Sequence, residues 1–395
     1  MKKELLIVNP DLYVGGTTSA LLSLLHSIDY DRYQVDLLLL RNEGDFLDSL
    51  PPQVTLLPPA LEESNRLAAD IHKFWVYLWR GFFFRKWKIK YKGDERYPLS
   101  LFQLMSGQAW AAAARQINKR YDAAIGFMEG FADCYVSSRV SAAKKIAWIH
   151  VDYENAGLDP ELDRQMLTAF DRIVLVSPDC KKSFDRVFPA YRNRSMVLEN
   201  ITNFSLVRWE AKQSVDDFQP DPAFVTLVTA ARLQNSHKGI DRAVKALYRL
   251  KQDGFAVKWY VFGEGSDRST IEAMIEEYGL QDNFFLMGNR LNVYPYLAKA
   301  DLYVMVSRYE GKPIAVTEAQ ILGLPVITTR YASASEQVED GVTGLVVENN
   351  DNAIYEGLVR AIRCPELLER FRENLKKVDF TNRESLNQFY KLIED

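Results

Sequence analysis

From residue 4 to residue 347 the chain repeats one pattern. A short run of β-branched and leucine residues is followed by an amphipathic stretch, the rhythm of parallel strands joined by crossover helices. The runs fall at 4–8, 34–40, 122–127, 145–149 and 173–176, then at 225–229, 258–262, 284–287, 302–306, 325–328 and 345–347. Between the two series, 214–222 is rich in Asp and Pro, breaks both periodicities and reads as a linker or surface turn. A chain of 395 residues exceeds one compact core. The expectation is therefore an α/β protein of two doubly wound domains facing a cleft. A last amphipathic segment, 382–393, carries Leu386, Phe389, Tyr390 and Ile393 on one face and is too small to stand alone, so it should dock on a domain.

Bulk properties remove several classes. A net charge of -4 gives no global attraction to nucleic acid. The three cysteines, Cys134, Cys180 and Cys364, form no C-x-x-C pair from which a zinc site or disulfide framework would start. The N-terminal apolar run stops at Asn9-Pro10, too short for a signal-peptide core, and nothing approaches a membrane span of about 20 apolar residues. A reducing cytoplasm is the expected setting, with contact at the inner face of the cell membrane left open.

The chemistry concentrates in SRYEGKPIAVTEAQILGLPVITT, residues 307–329. It follows the strand DLYVMV, so 307–313 is a loop at a strand's carboxyl end, the usual ligand position in open α/β sheets. Pro313 suits a first helical turn and Gly323 a helix stop, so a helix is expected from Pro313 to about Leu322. A helix N-terminus exposes unpaired N–H groups and partial positive charge, which suits a diphosphate. Glu310 lies in the loop and Glu318 on the helix. Alone, such a pair reads as a loop carboxylate and an exposed helix residue, but Glu318 is flanked by Ile314, Ala315, Val316, Ala319, Ile321 and Leu322, where an unpaired carboxylate is costly.

Cations for a diphosphate stand after the strand at 225–229. Arg232 ends it, and Lys238-Gly239 opens a helix at 240–250. A solvated loop holding both charges by chance is an equal reading of this piece by itself, and Asn235 or Ser236 suits a helix cap. Gly263-Glu264-Gly265 follows another strand, where a backbone passes close to a ligand or simply turns. Gly15-Gly16 precede the helix at 17–28 but lack the third glycine of a dinucleotide fingerprint, which counts against a nicotinamide enzyme. His150, one of four histidines, ends the strand KKIAWIH at the edge of the first sheet and is read as a ligand contact slightly ahead of a structural histidine.

Together these residues resemble the retaining glycosyltransferases of family 4 (glycosyltransferase group 1), of the bacterial surface-polysaccharide type, with the GT-B fold. The resemblance runs end to end: the Gly15-Gly16 loop, the WIH ending in His150, the ARL…KG pair, the GEG turn at Gly263, and Glu-x7-Glu as Glu310 and Glu318. It implies an N-terminal acceptor-binding Rossmann-like domain at 1–203, a C-terminal nucleotide-sugar-binding Rossmann-like domain at 204–378, and a helix at 379–395 returning to the first. By the same resemblance Arg232 and Lys238 bind the donor diphosphate and Glu318 the ribose. Glu310, with the backbone of Gly311, Lys312, Pro313 and Ile314, holds the transferred sugar. Gly16 approaches the phosphate, His150 contacts the sugar, and the base lies against Gly288, Asn289 and Arg290. Two departures stand out. Arg232 and Lys238 are one residue further apart than in the commonest form, and Lys312 replaces a frequent apolar residue.

The implied reaction is retaining transfer of a hexose-type sugar from a nucleotide diphosphate donor, UDP-sugar favoured, to a glycan or lipid-linked acceptor of cell-surface polysaccharide. No Asp-x-Asp motif stands where a divalent cation would bridge the diphosphate, so no metal or cofactor is expected. The rival readings are a nucleotide-sugar epimerase of the same fold and a catalytically silent sugar-nucleotide-binding subunit. On the acceptor side, 72–92 crowds aromatic residues with lysines and arginines, among them Trp75, Trp79, Arg85, Lys86, Trp87 and Lys88. That composition suits an element lying on anionic lipid. A core helix with a basic solvent face is an equal reading, and stacking on an acceptor sugar a third.

Overall fold

The computed structural model describes residues 2–61, 107–108, 110–156, 158, 160–381 and 383–394. These residues form two compact units. The first comprises Met1–Tyr13, Leu21–Ile201 and Arg383–Asp395, the second Val14–Ala20 and Thr202–Asn382.

The first unit holds a seven-stranded sheet in the order β3-β2-β1-β4-β5-β6-β7. Its strands are β1 (Lys3–Asn9), β2 (Tyr33–Leu39), β3 (Thr55–Leu56), β4 (Arg120–Gly126), β5 (Ser141–Ile149), β6 (Arg172–Leu175) and β7 (Ser195–Val197), all paired in parallel. The second unit holds a six-stranded parallel sheet, order β10-β9-β8-β11-β12-β13. Its strands are β8 (Val225–Ala230), β9 (Val257–Phe262), β10 (Phe284–Gly288), β11 (Leu302–Met305), β12 (Val326–Thr329) and β13 (Gly344–Val347). Every run expected from periodicity is a strand. The two strands that periodicity does not show, β3 and β7, have two and three residues and form the edges of the first sheet. A segment that short carries no period, and a short edge strand offers little backbone for unwanted pairing.

Burial of both faces explains the near-continuous apolar strands. In the second sheet Leu227, Trp259, Val261 and Val304 pack into one core and Val228, Phe262, Tyr303 and Met305 into the other, so successive residues alternate between faces. The Trp259 indole on this path is satisfied: Trp259 Nε1 donates to Thr229 Oγ1 at 2.9 Å, and Thr229 Oγ1 donates to the Val304 carbonyl at 2.5 Å.

The helix Arg383–Glu394 belongs to the first unit. Its Tyr390 ring stacks on Tyr33 at 5.3 Å and its hydroxyl accepts from Asp29 N at 2.9 Å, while Phe389 is fully buried beside Trp148. Glu394 closes the contact on Arg32 and Tyr33. Among the described residues no helix is long and apolar enough to cross a membrane.

Strand order locates the ligand crevice in each unit. β1 lies between β2 and β4, and β8 between β9 and β11, so the direction of winding reverses at each first strand. Loops at the carboxyl ends of strands on either side of such a reversal diverge and leave a crevice. In the second unit these are the loops after β8 and β11.

Candidate functional site

The loop after β8 is built by close backbone packing. Ala231 N donates to the Phe262 carbonyl at 2.9 Å and Leu233 N to the Glu264 carbonyl at 3.0 Å. A Cβ on Gly263, which has φ +142, would lie 2.1 Å from Ala231 O, and one on Gly265 would lie 2.3 Å from Leu233 O. The close approach that makes these positions glycine is therefore to the loop carrying Arg232, where the sequence suggested a ligand. Arg232 itself is exposed and forms no ion pair among the described residues.

The loop continues through a single helical turn, Asn235–Lys238, to Gly239, whose left-handed φ of 66 opens the helix Ile240–Gln252. Lys238 thus closes the preceding turn, two residues before the long helix that the sequence expects Lys238-Gly239 to open. Main-chain and side-chain bonds tie this loop to the one after β11. Arg308 N donates to the His237 carbonyl at 2.8 Å, and the Arg308 guanidinium pairs with Asp241 at 3.0 Å.

Glu310 is the point where the two loops meet. Its side chain is 6% exposed, and Oε1 accepts from Lys238 Nζ and from Ser307 Oγ, both at 2.6 Å. His237 Nε2 faces Oε2 at 3.5 Å, and the imidazole stacks on Tyr309 with centroids 4.3 Å apart. Burial alone pushes a carboxyl up, but Lys238 and His237 more than reverse it, and Glu310 is brought down to about 2. It is a fixed anion at neutral pH.

Glu318 occupies the opposite environment. The helix Ile314–Ile321 starts at Pro313, an extended N-cap that makes no side-chain capping bond, and ends before Gly323 at φ 74. Its first N–H groups are left without a side-chain cap, the condition for anion capture. The carbonyls of Gly311 and Pro313 are occupied by Ser333 Oγ and Gln337 Nε2, and Lys312 is half-buried. Glu318 is buried, with Tyr294 OH donating to Oε1 at 2.8 Å. Burial, opposed by the Tyr294 bond and reinforced by the Glu210 charge, pushes its carboxyl up to about 7. Tyr294 and Glu210 have no motif around them in the sequence; only the fold brings them to Glu318.

At the end of β10, Gly288 has φ 70 and Asn289 follows it. The Arg290 guanidinium is engaged by Asp217 at 2.9 Å and by the Tyr296 hydroxyl at 3.2 Å, which pins 214–222 to the domain.

In the first unit His150 directly follows β5. Its N–H donates to Glu129 Oε2 at 3.1 Å, and its ring lies 5.0 Å from Phe127 and 6.2 Å from Trp148. Nε2 is shielded from solvent and meets no partner among the described residues. Burial pushes the imidazole down to about 3 against a bond with the Phe127 backbone, so it is neutral near pH 7. Gly16 opens the helix Gly16–Leu25, whose first turn holds no acidic residue. Trp75, Trp79, Arg85, Lys86, Trp87 and Lys88 lie outside the described residues. Among the described residues no group of three or more His, Cys, Asp or Glu side chains is placed to hold a metal ion.

Comparison with known proteins follows this geometry. The family model for glycosyl transferases group 1 matches residues 214–378. The chain is 31% identical over 145 residues to a poly(ribitol-phosphate) alpha-N-acetylglucosaminyltransferase of Staphylococcus aureus, covering 35% of this chain and 29% of that one. It is 29% identical over 218 residues to a poly(glycerol-phosphate) alpha-glucosyltransferase of Bacillus subtilis, covering 50% and 32%. The chain thus spans about a third of the length of the curated relatives it matches. Among solved structures, Anabaena HepE in complex with UDP and glucose superposes with TM-score 0.70 over 98% of both chains at 14% identity. Residues 214–378 match the family model for glycosyl transferases group 1, in a chain that has the GT-B fold.

Proposed function

We propose that this protein is a retaining, metal-independent glycosyltransferase that moves a hexose-type sugar from a nucleotide diphosphate donor, UDP-sugar favoured, to a glycan or lipid-linked acceptor of cell-surface polysaccharide. The observation that carries this is the convergence of Lys238 and Glu310 at 2.6 Å where winding reverses between β8 and β11, beside the uncapped start of the helix Ile314–Ile321. Relatives whose names print polymer glycosyl transfer, and a neighbour solved with UDP, support donor and acceptor class.

The barrier in such a transfer is charge. The bond from the sugar's anomeric carbon to the diphosphate oxygen breaks, an oxocarbenium-like sugar forms, and negative charge grows on the leaving group. Fixed cations and helix N-termini stabilise that charge because they need no reorganisation as it develops. In our reading Arg232 and Lys238, with the N–H groups of Gly311, Lys312 and Ile314, take this role. Glu318 accepts from the ribose hydroxyls, Asn289 and Arg290 border the base, and Gly263 shapes the Arg232 loop. Glu310 and His150 border the transferred sugar, with Gly16 near the phosphate. The acceptor oxygen then bonds to the anomeric carbon on the face the diphosphate leaves, and its proton passes to the leaving phosphate oxygen, giving retention. Segment 72–92, through Trp75, Trp79, Trp87, Arg85, Lys86 and Lys88, is proposed to meet the acceptor or the anionic surface that bears it.

A screen of UDP- and GDP-sugars with EDTA present, reading thermal stabilisation and donor hydrolysis, tests this. Stabilisation by one donor with retained hydrolysis is expected. Folded protein indifferent to every donor overturns the reading in favour of a silent binding subunit, and turnover to an epimeric donor without acceptor favours an epimerase.

A further inference from the structure

The two oxygens of Glu310 are held differently. Oε1 carries both close donors, Lys238 Nζ and Ser307 Oγ, whereas Oε2 faces His237 Nε2. If Lys238 is to serve a diphosphate, its ammonium must turn at least partly away from Oε1. That would leave a nearly buried carboxylate with one hydroxyl, a state that favours protonation or rotation. His237 is placed to prevent it. Its ring lies against Tyr309, interplanar angle 6°, and Tyr309 is the residue before Glu310. Its own backbone is bonded on both sides, His237 N donating to the Gln234 carbonyl at 3.2 Å and the His237 carbonyl accepting from Arg308 N. Imidazole and carboxylate are thus linked twice, through the stack on Tyr309 and across the Nε2–Oε2 approach, while the His237 backbone is tied to the loop after β11.

We infer that His237 is the positioning residue of Glu310, holding Oε2 while Lys238 passes from the carboxylate to the donor's diphosphate. This rests on the proposed place of Glu310 at the transferred sugar.

The test compares His237→Phe, which keeps the stack on Tyr309 but removes the donor, with His237→Gln, whose amide N–H reaches a position close to Nε2. Glu310→Gln is the control. Steady-state transfer is measured on the full chain with the donor that the screen of UDP- and GDP-sugars selects, with thermal stability alongside. One hydrogen bond to a charged group corresponds to about 10- to 100-fold in rate. The Phe variant is expected to lose that much kcat with donor KM changed by less than about threefold, and the Gln variant to regain most of it. Should Phe not fold, His237→Leu takes its place. Full kcat in the Phe or Leu variant with an inactive Glu310→Gln overturns the inference alone, as does a Gln variant as slow as Phe. An active Glu310→Gln overturns the underlying reading of Glu310 instead.

Discussion

Lys238 Nζ and Glu310 Oε1 stand 2.6 Å apart with side chains 18% and 6% exposed, so the loop after β8 and the loop after β11 are joined by a nearly buried ion pair. Removing one partner leaves the other charge stranded, a loss of about 3 kcal/mol, whereas removing both is far milder. Lys238→Met should therefore destabilise the fold by about that amount in urea at pH 7, and Lys238→Met combined with Glu310→Gln should recover at least half. Because the folded Glu310 carboxyl is brought below its ordinary 4.5 to about 2, its contribution is present above pH 4.5 and lost as pH falls through 2. Additive single effects in the double variant would show that the pair is not energetically coupled.

Glu318 gives the opposite sign. Its carboxyl is raised from 4.5 to about 7 in the folded chain, so stability from this group is full below pH 4.5 and is lost as pH rises through 7. Glu318→Gln keeps an acceptor for Tyr294 OH and removes the ionisation, so the ligand-free variant should be more stable than wild type by about 3 kcal/mol at pH 8 and equal to it below pH 4.5. Donor affinity should fall tenfold or more, since the ribose hydroxyls lose a charged acceptor. A stability difference that does not change with pH, from denaturation at pH 4.5 and pH 8, contradicts the burial argument; unchanged affinity contradicts the ribose role.

His150 combines a neutral ring with an unpartnered Nε2 among the described residues. Its pKa is depressed from 6.5 to about 3, so it favours the fold above pH 6.5 and that contribution is lost as pH falls toward 3. Replacing it with Phe, between Phe127 and Trp148, removes the unbonded Nε2 together with the ring's bond to the Phe127 backbone, two changes of opposite sign. Melting temperature in His150→Phe should stay within a few degrees of wild type while transfer falls by at least about tenfold, the effect of one lost contact to the sugar. Undiminished transfer removes His150 from the site.

What the sequence made legible follows from how each feature is encoded. Parallel strands buried on both faces write themselves as apolar runs, and each of the eleven runs is a strand. Glu318 was marked by its apolar flanks, because a carboxylate there demands partners. The partners themselves, Tyr294 and Glu210, come from other helices and leave no local pattern. Gly263 was legible as a close approach, but its neighbour, the Ala231 carbonyl, is set by pairing of the loops beyond β8 and β9. His237 was passed over for the same reason: beside Lys238 it reads as a polar loop residue until the loop after β11 is laid against it.

Gly265 tests the loop packing without the complication of a positive φ. A methyl group there would lie 2.3 Å from Leu233 O and 2.7 Å from its carbonyl carbon, both rigid backbone. Gly265→Ala must push the Arg232 loop off the end of β9, at a cost of about 1–3 kcal/mol, and donor affinity should fall with it. Urea denaturation and donor titration of the same preparation check this. Wild-type stability together with wild-type affinity would mean that the loop yields freely and does not fix Arg232.

The basic aromatic segment at 72–92 makes a prediction of its own. If it lies on anionic lipid, each Lys or Arg near the surface contributes about 1 kcal/mol, and that attraction fades beyond a Debye length of about 10 Å at 0.1 M salt. Replacing Arg85, Lys86, Lys88 and Lys90 with Ser should then remove about 4 kcal/mol, close to a thousandfold in partition. In flotation with phosphatidylglycerol-containing vesicles, wild type should rise with the lipid at low salt and less at high salt, and the four-Ser variant should stay at the bottom. A core helix with a basic solvent face predicts no flotation of either form. Stacking on an acceptor sugar predicts that Trp75, Trp79 and Trp87, rather than the cations, control acceptor KM. Flotation that survives the four substitutions ends the electrostatic reading and leaves the aromatic rings as the element that meets the acceptor.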